Sequence, residues 1–343
     1  MTSRMREETF QAAAAVAAQL AQDADRYAAF GQCLRAAPPR ALLTLARGSS
    51  DHAAHYAAYL VMARLGRLVT SLPMSLVTLY GARLDTEGLV SLAFSQSGQS
   101  PDLVEPTRAF AARGALTAAF VNEPGSPLAG AARWVFPLHA GPERSVAATK
   151  SFIAQLVAGA RLVSAWQQDA SLAASIARLP RALDAALQHE RAWCDAALPV
   201  LQDAERLYVI SRGTGLAIAL ETALKLKEVC GIQAEAISGA ELHHGPLALV
   251  EPGFAVLVLA PRGPAHDGLV ALAADLRARG ARVLLAAPVD VASSQLPLVT
   301  TDEPDLDPVA VIAPFYAMAE ALARARGRDP DAPPHLSKVT RTH

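Results

Sequence analysis

The sequence predicts an α/β fold made of two tandem units, each a parallel sheet with helices on both faces. Three observations carry that expectation. The chain has 343 residues, 52% of them hydrophobic and 18% charged, which is more than one comfortable core and fits a compact chain of about two domains. An internal repeat recurs at a single offset: Gly48 and Gly213, Gly66 and Gly231, Gly88 and Gly253, and Gly98 and Gly263 each lie 165 residues apart, as do Arg47 and Arg212 and Asp102 and Asp267. Within each unit short apolar runs alternate with helical stretches, the pattern of strands buried in a parallel sheet.

Taken in order, residues 5–30 read as an Ala-rich N-terminal helix. LLTLARGSS at 42–50 and LYVISRGTG at 207–215 are β-rich runs that break into a Gly turn before an Ala-rich helix. A second strand is expected at 88–94 and 253–260, then a turn and an amphipathic helix that stops at Arg113-Gly114 or Arg279-Gly280, then a third strand at 116–121 and 282–287. Residues 150–205 are mostly helical, broken at Pro180, and read as connecting helices. From Asp329 the Pro-rich polar tail should run irregularly over the surface. The expected division is therefore an N-terminal helix (1–30), a first domain (31–175), a helical connection (176–195), a second domain (196–328) and a tail (329–343). Each domain is expected to be an αβα sandwich of flavodoxin/Rossmann-like type.

A net charge of −1 removes the electrostatic basis for non-specific nucleic-acid binding. No run is expected to approach the roughly 18 to 20 apolar residues that span a bilayer, and no leader is expected, so the reading is a cytoplasmic protein without membrane or nucleic-acid partners. Cys33, Cys194 and Cys230 are scattered, without CxxC or His pairing, which points to reduced structural thiols and no metal site.

The most informative segment is SLAFSQSGQSPD at 91–102. A buried strand ending near Phe94 would deliver Ser95, Gln96, Ser97, Gly98 and Ser100 to the start of a helix at Pro101, where backbone N–H groups and the positive helix end attract an anion. The hydroxyls and the amide add donors without adding charge. The Lys-Ser/Thr pair of a Walker A loop and the three spaced glycines of a dinucleotide fingerprint are both missing, so the loop suits a sugar phosphate. An ordinary hydroxyl-capped turn is the alternative. The second unit has Ala260-Pro261-Arg262-Gly263 at the matching place, so one phosphate per chain is implied. It carries Lys225, Glu228 and His244 where the first has Leu60, Ala63 and Leu79. Of 31 basic residues only Lys150, Lys225, Lys227 and Lys338 are lysines, which singles them out in an Arg-biased chain, because only an amine can lose its proton and become a nucleophile.

FSQSGQSPD, VAATKSF, ALKLKE, ELHHGPLALV and HLSKVT, in this order, resemble the sugar isomerase (SIS) family from about Gly48 to Lys338. Within it the chain is similar to the isomerase half of glucosamine-6-phosphate synthase, and ARGSSDHA, AATKSFIA and the carboxy-terminal stretch look closer to stand-alone SIS-type glucosamine-6-phosphate deaminases. Thr2 follows Met1 where the synthase has a nucleophilic Cys, so no glutamine hydrolysis is expected. The resemblance implies that Ser95, Gln96, Ser97 and Ser100 hold the phosphate, with Gly48, Ser49 and Ser50 beside them and Val146, Ala148 and Thr149 lining the sugar. Ala148 stands where the synthase has Ser. Lys150 is expected to fix its loop rather than to act in chemistry.

Glu221, Lys225 and Glu228 fall on one helix face, with Lys227 elsewhere; alone, such a stripe reads as a solvated ion-pair face. The resemblance implies instead that Glu228 shuttles a proton between C1 and C2 while Lys225 steadies the enediol oxyanion. It also implies that His244, before Gly245-Pro246, opens the sugar ring from the neighbouring subunit of a homodimer, with His243 secondary. Lys338 corresponds to a lysine that forms a Schiff base in the synthase, and here it either does so or positions the open chain. No cofactor is implied. The expected partner is a hexosamine or hexose 6-phosphate, and the leading expectation is a glucosamine-6-phosphate deaminase yielding fructose 6-phosphate and ammonia. A fructosamine-6-phosphate deglycase, an aldose–ketose isomerase, a glutaminase-less aminotransferase-like isomerase and a non-catalytic sugar-phosphate-binding regulator are the alternatives.

Overall fold

The computed structural model describes residues 2–338, which divide into two compact units. The amino-terminal unit contains residues 14–143, 150–177 and 337–338, and the carboxy-terminal unit contains 2–13, 144–149 and 178–336. In chain order the elements are α1 (Arg4–Phe10), α2 (Ala12–Leu20), α3 (Ala24–Ala36), β1 (Ala41–Leu45), α4 (Ser49–Leu65), β2 (Val69–Ser71), α5 (Ser75–Thr78), β3 (Leu89–Ser95), α6 (Pro101–Ala111), β4 (Leu116–Val121), α7 (Pro127–Ala131) and β5 (Trp134–Pro137). They continue with α8 (Lys150–Gln167), α9 (Ala170–Ala177), α10 (Leu179–Leu187), α11 (Glu190–Leu201), β6 (Arg206–Ser211), α12 (Leu216–Glu228), β7 (Gln233–Ser238), β8 (Ala255–Leu259), α13 (His266–Ala278), β9 (Arg282–Pro288), β10 (Leu296–Leu298) and α14 (Asp307–Ala325).

Each unit holds one five-stranded parallel sheet, with orders β2-β1-β3-β4-β5 and β7-β6-β8-β9-β10. These are the same order, so the offset seen in the sequence marks a structural repeat. The four glycine pairs all have positive φ in both copies, for example +62° at Gly66 and +63° at Gly231, where the chain leaves a helix. The central strands β3, β4 and β8 are almost wholly buried, which is why they read as continuous apolar runs.

In the amino-terminal unit Phe94, Phe120 and Phe136 are in register across β3, β4 and β5, with ring centroids 4.5 and 4.9 Å apart. Phe30 of α3 closes over Phe136 at 5.3 Å. Such pairs add about 0.5–1.5 kcal/mol each beyond their burial. They also fix the carboxyl end of β3, from which the hydroxyl loop departs. Helix α8 is buried around nearly its whole circumference and packs on α4, so close at Gly159 that an added Cβ would stand 2.8 Å from the Cβ of Ala57.

Several expectations change. The N-terminal helix is three helices, interrupted at Gln11 and at Asp23, whose φ of +60° ends helical continuation. The edge strands β2, β5, β7 and β10 were not legible, and β2 and β10 have only three residues each. One segment, Pro304–Ala325, does prove long and apolar enough to cross a membrane, but 94% of its apolar stretch is buried within the protein, the behaviour of a core helix. Pro180 starts α10, as a helix breaker does. The cysteines are free thiols; burial pushes Cys194 up to about 11 and Cys230 up to about 12.

Gly159→Ala should destabilise the protein by about 1–3 kcal/mol through overpacking. Adding Ala57→Gly should recover part of that loss, measured by denaturant unfolding of both variants.

Candidate active site

Strand order reverses between β1 and β3, so the segments leaving their carboxyl ends bound a crevice, the usual ligand position in an open α/β sheet. Residues 46–50 leave β1 there and residues 96–100 leave β3. Ser95 is buried, and its Oγ accepts the Gly98 N–H at 3.0 Å; Ser97 Oγ accepts the Gln99 N–H at 3.3 Å. Each hydroxyl thus braces the loop and still has its O–H to donate. Gly98, at φ +62°, approaches so closely that a Cβ would lie 2.1 Å from Ser126 Oγ. Ser100 is the N-cap of α6 but its side chain makes no capping bond. The start of α6 is therefore not capped by the Ser100 hydroxyl, and the hydroxyl bonds lie within the loop itself. Gln96 is half-buried, with its carbonyl accepting the Asn122 N–H.

Beside it, Gly48 caps α4 at φ +54°; Ser49 is half-buried and Ser50 buried, its Oγ accepting from Gln155 Nε2 at 3.0 Å. The sequence suggested hydroxyl donors without charge, but the structure places a charged pair at this switch point. Arg47, 53% exposed, reaches the buried carboxylate of Asp102 in the first turn of α6 at 3.0 Å. Both residues recur at the repeat offset, a signal that sequence reasoning noted without assigning them a part. In the carboxy-terminal unit the matching loop is closed internally, because Arg262 donates through Nε and Nη2 to Asp307, each at 2.8 Å.

The 144–149 segment belongs to the carboxy-terminal unit, where the buried Glu8 carboxylate of α1 accepts the main-chain N–H groups of Arg144 and Ser145. Sequence reasoning missed this clamp. Val146 and Ala148 are half-buried and Thr149 is buried. Lys150, in the amino-terminal unit, opens α8 and is 4% exposed.

Helix α12 carries the charged trio inward. Side-chain exposures are 0% for Glu221, 1% for Lys225 and 20% for Glu228. Lys225 Nζ stands 3.4 Å from Glu221 and bonds Glu228, while Tyr316 Oη donates to Glu221 at 3.1 Å. Burial pulls the Lys225 ammonium down, but the Glu221 and Glu228 carboxylates outweigh it, and its pKa lies above the ordinary lysine value. This is no solvated stripe. It is a buried charge chain whose one partly exposed member is Glu228, with Lys225 between the two carboxylates.

His243 and His244 are exposed on a single 3-10 turn, Glu241–His244, followed by Gly245 at φ +135°. Lys338, in the amino-terminal unit, bonds the Glu143 carboxylate at 2.8 Å. Val339 and Thr340 of the terminal motif lie outside the described residues. Among the described residues no three His, Cys, Asp or Glu side chains gather as a metal site.

A duplicated parallel α/β sheet with a hydroxyl-braced loop at one switch point defines the class of fold and places the site where open α/β sheets take their ligands. The chain belongs to the SIS domain family, whose model matches residues 37–165 and 200–295. It is 36% identical to the glutamine–fructose-6-phosphate aminotransferase [isomerizing] of Aeropyrum pernix over 317 residues, 87% of this chain and 50% of that protein. The chain thus spans about half the length of the curated relatives it matches. A crystal structure of a candidate phosphosugar isomerase from Silicibacter pomeroyi is 40% identical, with TM-score 0.89 over 96% of this chain and all of that one. The fold is also shared with glucosamine-6-phosphate deaminase from Thermotoga maritima, at 20% identity and TM-score 0.79 over 99% of this chain and 100% of that one.

Lys225→Met should cost about 3–5 kcal/mol, because it strands the enclosed Glu221 charge, and Glu221→Gln in the same chain should return most of it. The raised Lys225 pKa means its stabilisation is complete below the ordinary lysine pKa and is lost as pH rises through the folded value. Unfolding curves at neutral and strongly alkaline pH check the sign.

Proposed function

We propose that this chain is an isomerase of amino-sugar phosphates that acts as a glucosamine-6-phosphate deaminase. The observation that carries the reading is Glu228, the partly exposed end of an otherwise buried charge chain. A carboxylate so placed can carry a proton between adjacent carbons, and Lys225 holds it in position from behind. Supporting observations are the anion-suited loop at the β1–β3 switch, the 40% identity to a candidate phosphosugar isomerase, and the motifs that resemble the deaminase subgroup.

In this reading Ser95, Gln96, Ser97 and Ser100 hold the phosphate, with Gly48, Ser49 and Ser50 beside them, and Val146, Ala148 and Thr149 line the sugar. His244, from a second copy of the chain, moves the hemiacetal proton as the ring opens. Glu228 removes the C2 proton and returns it to C1, so the 2-amino aldose becomes the C2 imine. Water adds to that imine, ammonia leaves, and fructose 6-phosphate remains. The Lys338 amine meets the open chain. Every step is proton transfer or imine hydrolysis, chemistry that side chains supply.

Purified protein given glucosamine 6-phosphate should release ammonia and fructose 6-phosphate in equal amounts. Turnover of a fructosamine 6-phosphate instead, or aldose–ketose exchange without ammonia, would reject the deaminase in favour of another phosphosugar enzyme. Glu228→Gln should keep sugar-phosphate binding and lose about 10²–10⁴-fold in kcat. Binding without any turnover in the unaltered protein would point to a regulator. Mixing inactive Glu228→Gln and His244→Ala chains should restore about a quarter of the activity if each site combines residues of two copies; no recovery places both groups on one chain.

A further inference from the structure

The Glu143 carboxylate has a setting that no role above explains. Its side chain is 0% exposed and accepts from Ser151 N–H at 3.0 Å, from Ser151 Oγ at 2.6 Å and from Lys338 Nζ at 2.8 Å. Ser151 lies in the first turn of α8, so the carboxylate rests on the positive end of a long helix, which favours its negative charge. Helix α8 is enclosed along nearly its whole length, which makes it a rigid support. Lys338 is the opposite case. It lies on a stretch without regular secondary structure, 195 residues away in sequence, yet its side chain is only 23% exposed. A lysine on such a tail ordinarily extends into water and samples many rotamers. Here one buried anion, anchored from two sides by Ser151, sets where the amine sits.

We propose that Glu143 is the positioning residue for Lys338, docking the carboxy-terminal segment on the start of α8 and placing the amine for the open-chain sugar. The inference rests on the function proposed above for its catalytic part, but the docking itself does not. It explains why a carboxylate is enclosed just before the VAATKSF motif, and how a tail without a strand or helix could present one amine reproducibly.

Trypsin cleaves after lysine, so cutting of the bond after Lys338 reports release of its ammonium. Glu143→Gln, which preserves volume and removes charge, should speed that cut about tenfold, followed by intact mass. It should lower kcat on glucosamine 6-phosphate at least about tenfold while KM moves less than about threefold. In a Lys338→Met background the same change should cost no further kcat. Should the Gln variant not fold, Glu143→Asp, which keeps the charge but withdraws it, should show both effects in smaller measure. An unchanged cleavage rate in a folded variant overturns the docking. An equal kcat loss with and without Lys338 overturns the positioning role. Wild-type protein that releases no ammonia removes the deaminase and with it the catalytic part, whereas the cleavage rates still decide the docking.

Discussion

A parallel strand covered by helices on both faces takes mostly apolar side chains along its length, with small hydroxyls such as Thr44, Ser91 and Thr117 as the polar exceptions, and this constraint orders much of the molecule. Charged and larger polar groups are excluded from the bodies of such strands, and at the carboxyl ends they meet the amino termini of the following helices. In the amino-terminal unit the aromatic register of Phe94, Phe120 and Phe136 holds β3 in place, and the hydroxyl loop begins directly after it. The carboxy-terminal unit obeys the same constraint with a different result. Its corresponding loop is closed by Arg262 and Asp307, so duplication of the sheet did not duplicate the hydroxyl loop.

The charged face of α12 departs from that economy. Enclosing Glu221 and Lys225 within a helix otherwise rich in Ala and Leu costs desolvation that apolar residues of the same size would avoid. Stability therefore does not account for it. What the arrangement achieves is orientation: Tyr316 fixes Glu221, Glu221 and Lys225 pair, and Lys225 holds Glu228 where the helix meets solvent. Glu8 does comparable work elsewhere, as a buried carboxylate that bonds main-chain donors of a segment with no regular structure of its own, and the buried Glu143 carboxylate bonds both Ser151 and Lys338.

How much was legible in the sequence depends on where each signal lies. The central strands were readable because burial on both faces demands continuous apolar runs, and the paired glycines were readable because turns at positive φ demand glycine in each copy. Edge strands such as β2 carry too few buried residues to leave a pattern. The break at Asp23 was hidden because neither a glycine nor a proline marks it. Arg47 and Asp102 were visible as repeat partners, but their ion pair was not, since they lie far apart in sequence.

By itself, then, the sequence determined the α/β class, the duplication, the family motifs and the chemical character of each candidate side chain, because these follow from local pattern and residue type. The three-dimensional fold decided which of those groups are enclosed and what each one touches. A stripe of alternating charges is the same string of letters whether solvated or buried. Packing of α12 against β6, β7 and α14 turns Glu221, Lys225 and Glu228 into a buried chain with one partly exposed end, and only the long-range approach of the tail to Glu143 gives Lys338 its partner. Burial and long-range contact are properties of the assembled core, and no window of neighbouring residues contains them.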